Sequence, residues 1–238
     1  MTEPLSSVDH PVSPDGPRRP SVLLFDVNET LSDMSPMGAR FEDVGAPGHL
    51  AKTWFAGLLR DGFALAVAGV AEPFARIGEE ALRAGLEGLP LTRSLEDSVA
   101  HIMGGFGELG VHDDVPEGIR RLSELGIRLI TLSNGSTMVA QRLLEEAGLR
   151  DRFEQLLSVE EAGIWKPAAG AYAYALDQCG VDPMDAMLVA VHPWDTDGAR
   201  RAGLGSVWIN RGGATYPGYF LPPDLAAGSL LDLADQLS

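Results

Sequence analysis

The chain is short of cysteine, of positive charge and of long apolar runs, and each shortage removes a class of function. Its 238 residues include one cysteine, Cys179, so no disulfide can close within the chain. No CxxC or histidine-rich neighbourhood surrounds Cys179 to build a zinc site, and a buried, inert thiol is the role expected of it. Lys and Arg number 18 against 34 Asp and Glu, a formal net charge of -16. That field repels nucleic acid and anionic membrane, so neither is expected as a partner, and a small anionic substrate would need local positive groups to hold it. The apolar patch Phe63 to Val70 is far too short to span a bilayer. The first twenty residues carry Pro4, Pro11, Pro14, Pro17 and Pro20 among Ser and Asp, and lack the apolar core of a signal peptide. Residues 1–20 are therefore expected to form a disordered leader, and the protein is expected to be cytoplasmic.

What remains is the balance of a soluble globular protein with enough material for a full core, 45% hydrophobic and 22% charged. One large domain, or a domain with an inserted subdomain, is expected. Its organising stretch is Ser21-Val-Leu-Leu-Phe-Asp26-Val-Asn28-Glu-Thr30-Leu31, where four apolar residues run into a carboxylate and a polar turn. The pattern predicts a buried strand that delivers Asp26 to the C-terminal edge of a parallel sheet, where ligands bind in α/β folds. A turn-capping Asp26 is the alternative on this stretch alone.

From about Ser32 to Gly110 the spacing predicts helices without a buried strand. Pro47 to Arg60 is one, ended by Asp61-Gly62; Phe74 to Ala84 and Ser94 to Leu109 are two more, separated by the breakers of Gly85 to Pro90. Strand and helix then alternate. Helices are predicted from Pro116 through Leu125, over Thr137 to Ala147, Ala168 to Gln178 and Thr196 to Ala202. Strands are predicted over Arg128 to Leu132, near Leu156 to Ser158, over Met187 to Val191 and over Ser206 to Ile209. Repeated strand–helix–strand units make a parallel sheet covered on both faces, with the helical insert after the first strand as a cap. The expected division is a leader over 1–20, a core over 21–33 and 111–238, and a cap over 34–110. The stretch Gly212 to Pro223, rich in Gly, Pro and aromatics, is expected to pack over the sheet edge.

Several strand ends finish in polar groups: Asp26 to Thr30, then Ser133 and Asn134, then His192 to Asp195, with Lys166 in a further loop. Loops converging on one edge are what a site needs. The segments FDVNETL, LSNGS, KPAAGAY and VAVHPWDTDGA, in this order and with a helical insert after the first, resemble the four motifs of the haloacid dehalogenase superfamily. More closely they resemble its (S)-2-haloacid dehalogenase branch, over about Val22 to Ile209.

The resemblance implies a Rossmann-like α/β core with a helical cap and makes Asp26 the nucleophile. A desolvated, aligned carboxylate can displace a leaving group from carbon, and water then cleaves the aspartyl ester. Lys166 matches the family lysine that keeps the nucleophile ionised, and Asp195 the retained acid of the fourth motif. Thr30 matches the hydroxyl supporting the nucleophile loop, and Ser133 the group that holds a substrate carboxylate with backbone N–H donors. Asn134 matches an amide at the halide side, Tyr172 the tyrosine after the KP motif, and Trp194 an aromatic lining the halide pocket. Each has a plainer alternative: a surface charge for Lys166, a helix-capping turn for Ser133 and Asn134, and core packing for Tyr172 and Trp194.

A superfamily phosphatase surrounds Mg²⁺ with carboxylates and keeps an acid two residues after the nucleophile; here that position is Asn28, and the position four before Asp195 is Val191. No cofactor or metal is therefore expected. Glu29 and Asp197 could supply oxygens, but both read as solvated loop acids. Two departures alter the leaving-group side. Where the dehalogenases carry an arginine beside a cap tryptophan, Trp54 is followed by Phe55, and Arg60 lies on another helix face at about 100° per residue. The family's serine and asparagine of the fourth motif fall on Ala190 and His192. His192 could donate a hydrogen bond or offset a departing anion, or be structural ahead of Pro193.

The leading expectation is a metal-independent hydrolase releasing halide from a small 2-haloalkanoic acid to give a 2-hydroxy acid. The alternatives are a Mg²⁺-dependent phosphatase using Asp26 and Asp195, or a non-catalytic binding protein that keeps the fold. Relatives with such a cap often pair, and Phe63 to Val70 is either a homodimer contact or cap core.

Overall fold

In a computed structural model, which describes residues 19–238, β1 (Val22–Phe25) is followed by four helices before the sheet resumes. The leader expected over 1–20 lies, but for its last two residues, outside the described residues. The insert consists of α1 (Met37–Glu42), α2 (Leu50–Val67), α3 (Phe74–Leu86) and α4 (Leu95–Gly107). The chain leaves and re-enters the core at an isolated antiparallel bridge between Ser32 and Val111. Then follow α5 (Val115–Glu124), β2 (Arg128–Ser133), α6 (Thr137–Glu146), β3 (Gln155–Ser158), α7 (Val159–Ala162) and α8 (Ala169–Cys179). The chain finishes with β4 (Ala186–Ala190), α9 (Pro193–Arg201), β5 (Gly205–Ile209), β6 (Leu225–Ala227) and α10 (Leu230–Gln236).

The sheet is parallel throughout, in the order β3-β2-β1-β4-β5-β6. Its α/β, Rossmann-like arrangement follows from side-chain alternation on strands that are buried on both faces. Val22 and Leu24 enter one core with α8, α9 and the helical insert, whereas Leu23 and Phe25 enter the other with α5, α6 and α10. Because β1 lies between β2 and β4, Phe25 is level with Thr131 and Val189, and Asp26 emerges where the neighbouring strands also end.

The expected boundaries need four corrections. The Asp61-Gly62 pair does not stop α2, which continues to Val67. Gly62 serves packing there: a Cβ at this position would fall into the ring of Trp165. α9 starts at Pro193 rather than Thr196, with proline at the first helical position, where its missing N–H is no loss. The short α1 and α7 lie where no helix was expected, and β6 and α10 follow Ser206 to Ile209, where the expected elements end. Leu230 N–H, at the start of α10, donates to Asp114 Oδ2 at 2.7 Å and ties this last helix to α5.

The stretch before β6 does pack on the core. Tyr216 sets its ring on Trp208 at 5.1 Å, its hydroxyl bonds Thr196 Oγ1 at 2.8 Å, and Leu221 N–H donates to Asp197 at 2.8 Å. Asp197 is therefore not a solvated loop acid: it is buried, and it also accepts from Arg201. Among the described residues no helix is long and apolar enough to cross a membrane. Cys179 is free and buried.

Candidate active site

Asp26 stands at the centre of a closed group of charges. Lys166 Nζ donates to Asp26 Oδ1 at 3.0 Å and to Asp195 Oδ2 at 2.7 Å. Thr30 Oγ1 donates to Asp26 Oδ2 at 2.7 Å while accepting from Val191 N–H at 3.1 Å, so the hydroxyl proton is committed to Asp26. His192 Nδ1 reaches the same Oδ2 at 3.1 Å. All three carboxylate and ammonium bearers, Asp26, Lys166 and Asp195, are buried.

Buried charge is costly unless paired, and the pairing sets the protonation here. Burial would raise the Asp26 carboxyl, but Lys166, His192 and Thr30 outweigh it and hold it well below the usual carboxylate range. Burial also opposes the Lys166 charge, yet Asp195 and Asp26 raise it. Asp195 is pushed up by burial, against the pull of Lys166 and with the help of Asp26. Burial works against the His192 imidazolium, but hydrogen bonds to Asp26 and Glu29 overcome it and push the ring up to about 9. At neutral pH His192 is therefore a cation.

The supporting residues come from the other strand ends. Asn134 exchanges two bonds with the backbone of Lys166, Nδ2 donating to its carbonyl at 3.2 Å and Oδ1 accepting its N–H at 3.0 Å. Ser133 Oγ accepts from Gly135 N–H at 2.9 Å and so keeps its own proton to give. Tyr172, fully buried on α8, donates to Asp195 Oδ1 at 2.6 Å; burial and then Asp195 raise its phenol well above the ordinary range. A side chain at Gly198 would collide with that hydroxyl and with Pro167, so glycine lets α8 and α9 approach.

On the insert side, Phe55 from α2 lies 6.5 Å from the His192 ring, and Trp194 lies 5.0 Å from it. Phe63 meets Trp194 edge-on at 4.9 Å. Arg60 does not reach this region: it pairs with Asp61 at the surface and shares a face with Thr53 and Gly57 instead. Trp54 is insert core, with its indole N–H donating to Gly78 O at 2.9 Å. Next to His192 a cleft of about 940 Å³ opens between insert and core, with Glu29, Phe55 and Val191 in its wall and Lys52 and Arg211 as its cations.

Two contributors were not expected. Glu29, read as a solvated acid, instead places Oε2 2.8 Å from His192 Nε2. Trp165 stacks on Phe74 at 5.9 Å and donates to Glu72 O at 3.0 Å, anchoring the Lys166 loop to the insert. Its position as a large aromatic directly beside Lys166 was the available sign. Among the described residues, no group of three or more His, Cys, Asp or Glu is arranged to hold a metal ion.

The chain is 29% identical over 215 residues to (S)-2-haloacid dehalogenase of Pseudomonas sp. (strain YL), covering 87% of this chain and 90% of that protein. It is 29% identical over 215 residues to (S)-2-haloacid dehalogenase 4A of Burkholderia cepacia, covering 88% and 91%. A solved dehalogenase structure with an intermediate complex superposes with a TM-score of 0.85 at 27% identity, over 92% of this chain and 97% of that one. A family model for haloacid dehalogenase-like hydrolases matches residues 20–203, and the chain belongs to that family.

Proposed function

We propose that the protein hydrolyses a carbon–halogen bond at C2 of a small 2-haloalkanoic acid through an ester of Asp26, giving a 2-hydroxy acid. The observation that carries this reading is the ionised, buried Asp26 ringed by Lys166, Thr30 and His192. A carboxylate stripped of water and held in place is a far better nucleophile than one in solution.

Ser133, whose hydroxyl proton is free to donate, holds the substrate carboxylate together with backbone N–H groups of its turn. Lys52, in the wall of the cleft, draws the anion in despite the net charge of the chain. Phe55 and Trp194 line the leaving-group side, and their apolar rings keep water from the departing halide. Asp26 attacks C2, the carbon–halogen bond breaks, and halide leaves with the bonding pair. Water then attacks Cγ of the ester. Asp195, with its raised carboxyl, takes the proton that water loses, and Lys166 supplies one to the departing ester oxygen. Tyr172 and Asn134 are positioning residues, the first for Asp195 and the second for the Lys166 loop.

A Mg²⁺-dependent phosphatase fits this donor set poorly. Asp26 already faces two cationic donors, and Asn28 cannot protonate a leaving alcohol. Val67 and Val70, exposed at the end of α2 and just beyond it, support pairing of two copies. The test is a screen for chloride, bromide and fluoride release from (S)-2-haloacids, with and without chelator, beside a generic phosphate ester. Chelator-resistant halide release is expected; chelator-sensitive phosphate release without any halide release would contradict the proposal.

A further inference from the structure

We infer that Glu29 and His192 give this chain a charged oxyanion site for the second half-reaction, with His192 acting on the ester carbonyl and Glu29 positioning its ring. The inference rests on the Asp26-ester reading and goes on to say which oxygen does what.

The two oxygens of Asp26 are not equivalent. Oδ1 meets only Lys166 in this hydrogen-bonded group, whereas Oδ2 accepts from both Thr30 at 2.7 Å and His192 at 3.1 Å. Alkylation at Oδ2 would expel two donors; alkylation at Oδ1 keeps both. Oδ1 is thus the attacking atom and Oδ2 becomes the ester carbonyl oxygen. When water adds to Cγ, the carbonyl pair moves onto Oδ2, which already has two donors at the spacing an oxyanion site requires. Collapse restores the carbonyl and breaks the Cγ–Oδ1 bond, so that Oδ1 departs in the 2-hydroxy acid with a proton from Lys166. One proton of the attacking water passes through Asp195 to refill Lys166, the other stays on the regenerated Asp26 carboxyl and is released to solvent, and His192 ends as it began.

Glu29 is built for the task of holding the ring. Its backbone lies in the left-handed region at φ 61°, uncommon for a residue with a side chain. That conformation is tied at both ends: Glu29 N–H donates to Ser32 Oγ at 3.2 Å, and its carbonyl meets His112 Nε2 at 2.9 Å. The carboxylate engages Nε2, so the imidazolium presents its Nδ1 proton to Asp26. Phe55 from α2 and Trp194 from α9 both pack near the ring without adding charge. The charged groups paired with it are Asp26 and Glu29, with Lys166 beyond Asp26 and Lys52 and Arg211 elsewhere in the wall of the same cleft.

Rapid quench with (S)-2-bromopropionate separates the two half-reactions. His192→Phe keeps the aromatic packing and removes the donor. It is expected to release one equivalent of bromide per protein at nearly the wild-type rate, and then to accumulate the Asp26 ester by intact mass. Ester hydrolysis should slow by about 10²–10³-fold, the usual loss for one oxyanion donor. His192→Asn, which can still donate, is expected to restore part of that loss. A bromide burst slowed as much as turnover, with no ester trapped, would overturn the inference and put His192 on the leaving-group side. Wild-type product carrying solvent oxygen from the first turnover would instead reject the ester itself. A substrate-free measurement covers Glu29: NMR titration of His192 is expected to stay protonated at neutral pH and to fall in Glu29→Gln. An unchanged titration in that variant would remove Glu29 from the site.

Discussion

Asn134 and Lys166 bond to each other in both directions across 32 residues of sequence, side-chain amide to backbone carbonyl and backbone N–H to side-chain oxygen. The amide at the end of β2 therefore fixes the peptide from which the Lys166 ammonium extends to Asp26 and Asp195. Asn134→Ala is expected to lower kcat by up to about 10²-fold through misplacement of that ammonium. Asn134→Asp, which keeps the acceptor and loses the donor, should lie between the two. Steady-state halide release checks the order.

Among the described residues, Lys166 is also the only ammonium between Asp26 and Asp195. Its loss leaves two buried carboxylates facing each other, and removing one partner of such a group costs about 3–5 kcal/mol. Lys166→Met should lose that much in urea unfolding along with its activity. Adding Asp195→Asn should recover part of the stability and none of the activity, because one of the opposed charges is then gone. The double-mutant cycle measures the coupling.

Gly62 and Trp165 make a packing prediction far from the chemistry. Gly62→Ala forces a methyl against a fully buried indole, and overpacking of this kind costs about 1–3 kcal/mol. A fall in the urea midpoint with an unchanged m-value is expected. An effect of the usual glycine-to-alanine sign inside a helix, a gain in stability, would contradict the packing.

How much of this was legible in the sequence depends on the range of the forces involved. Asp26, Ser133 and Asp195 follow buried strands or open a helix next to one, so periodicity and polar punctuation were enough to bring them to one edge. Lys166 sits in a loop and was found by its motif. The contact of Glu29 with His192 has no local signature, because it depends on a left-handed backbone and on a histidine 163 residues away. The extension of α2 was missed because Gly62 has the local signature of a stop, and only the indole of Trp165 reveals why it is glycine. α1, β6 and α10, at 6, 3 and 7 residues, are too short to display a period.

Stability should carry the mark of His192. Its folded-state titration is raised from 6.5 to about 9 by Asp26 and Glu29 against the effect of burial. The stabilisation is therefore fully present below 6.5 and is lost as pH rises through about 9. Urea unfolding of the wild type and His192→Phe at a series of pH values should show a difference that shrinks across that window. A difference that grows with pH would reverse the sign and refute the raised titration.

The central claim is that Asp26 forms an ester, and isotopic oxygen tests it most directly. With protein in excess over (S)-2-bromopropionate in ¹⁸O-water, the first turnover should yield 2-hydroxy acid carrying ordinary oxygen, and ¹⁸O should appear in the peptide that contains Asp26. Product labelled with ¹⁸O in that first turnover, with Asp26 unlabelled, would show direct attack by water and contradict the account.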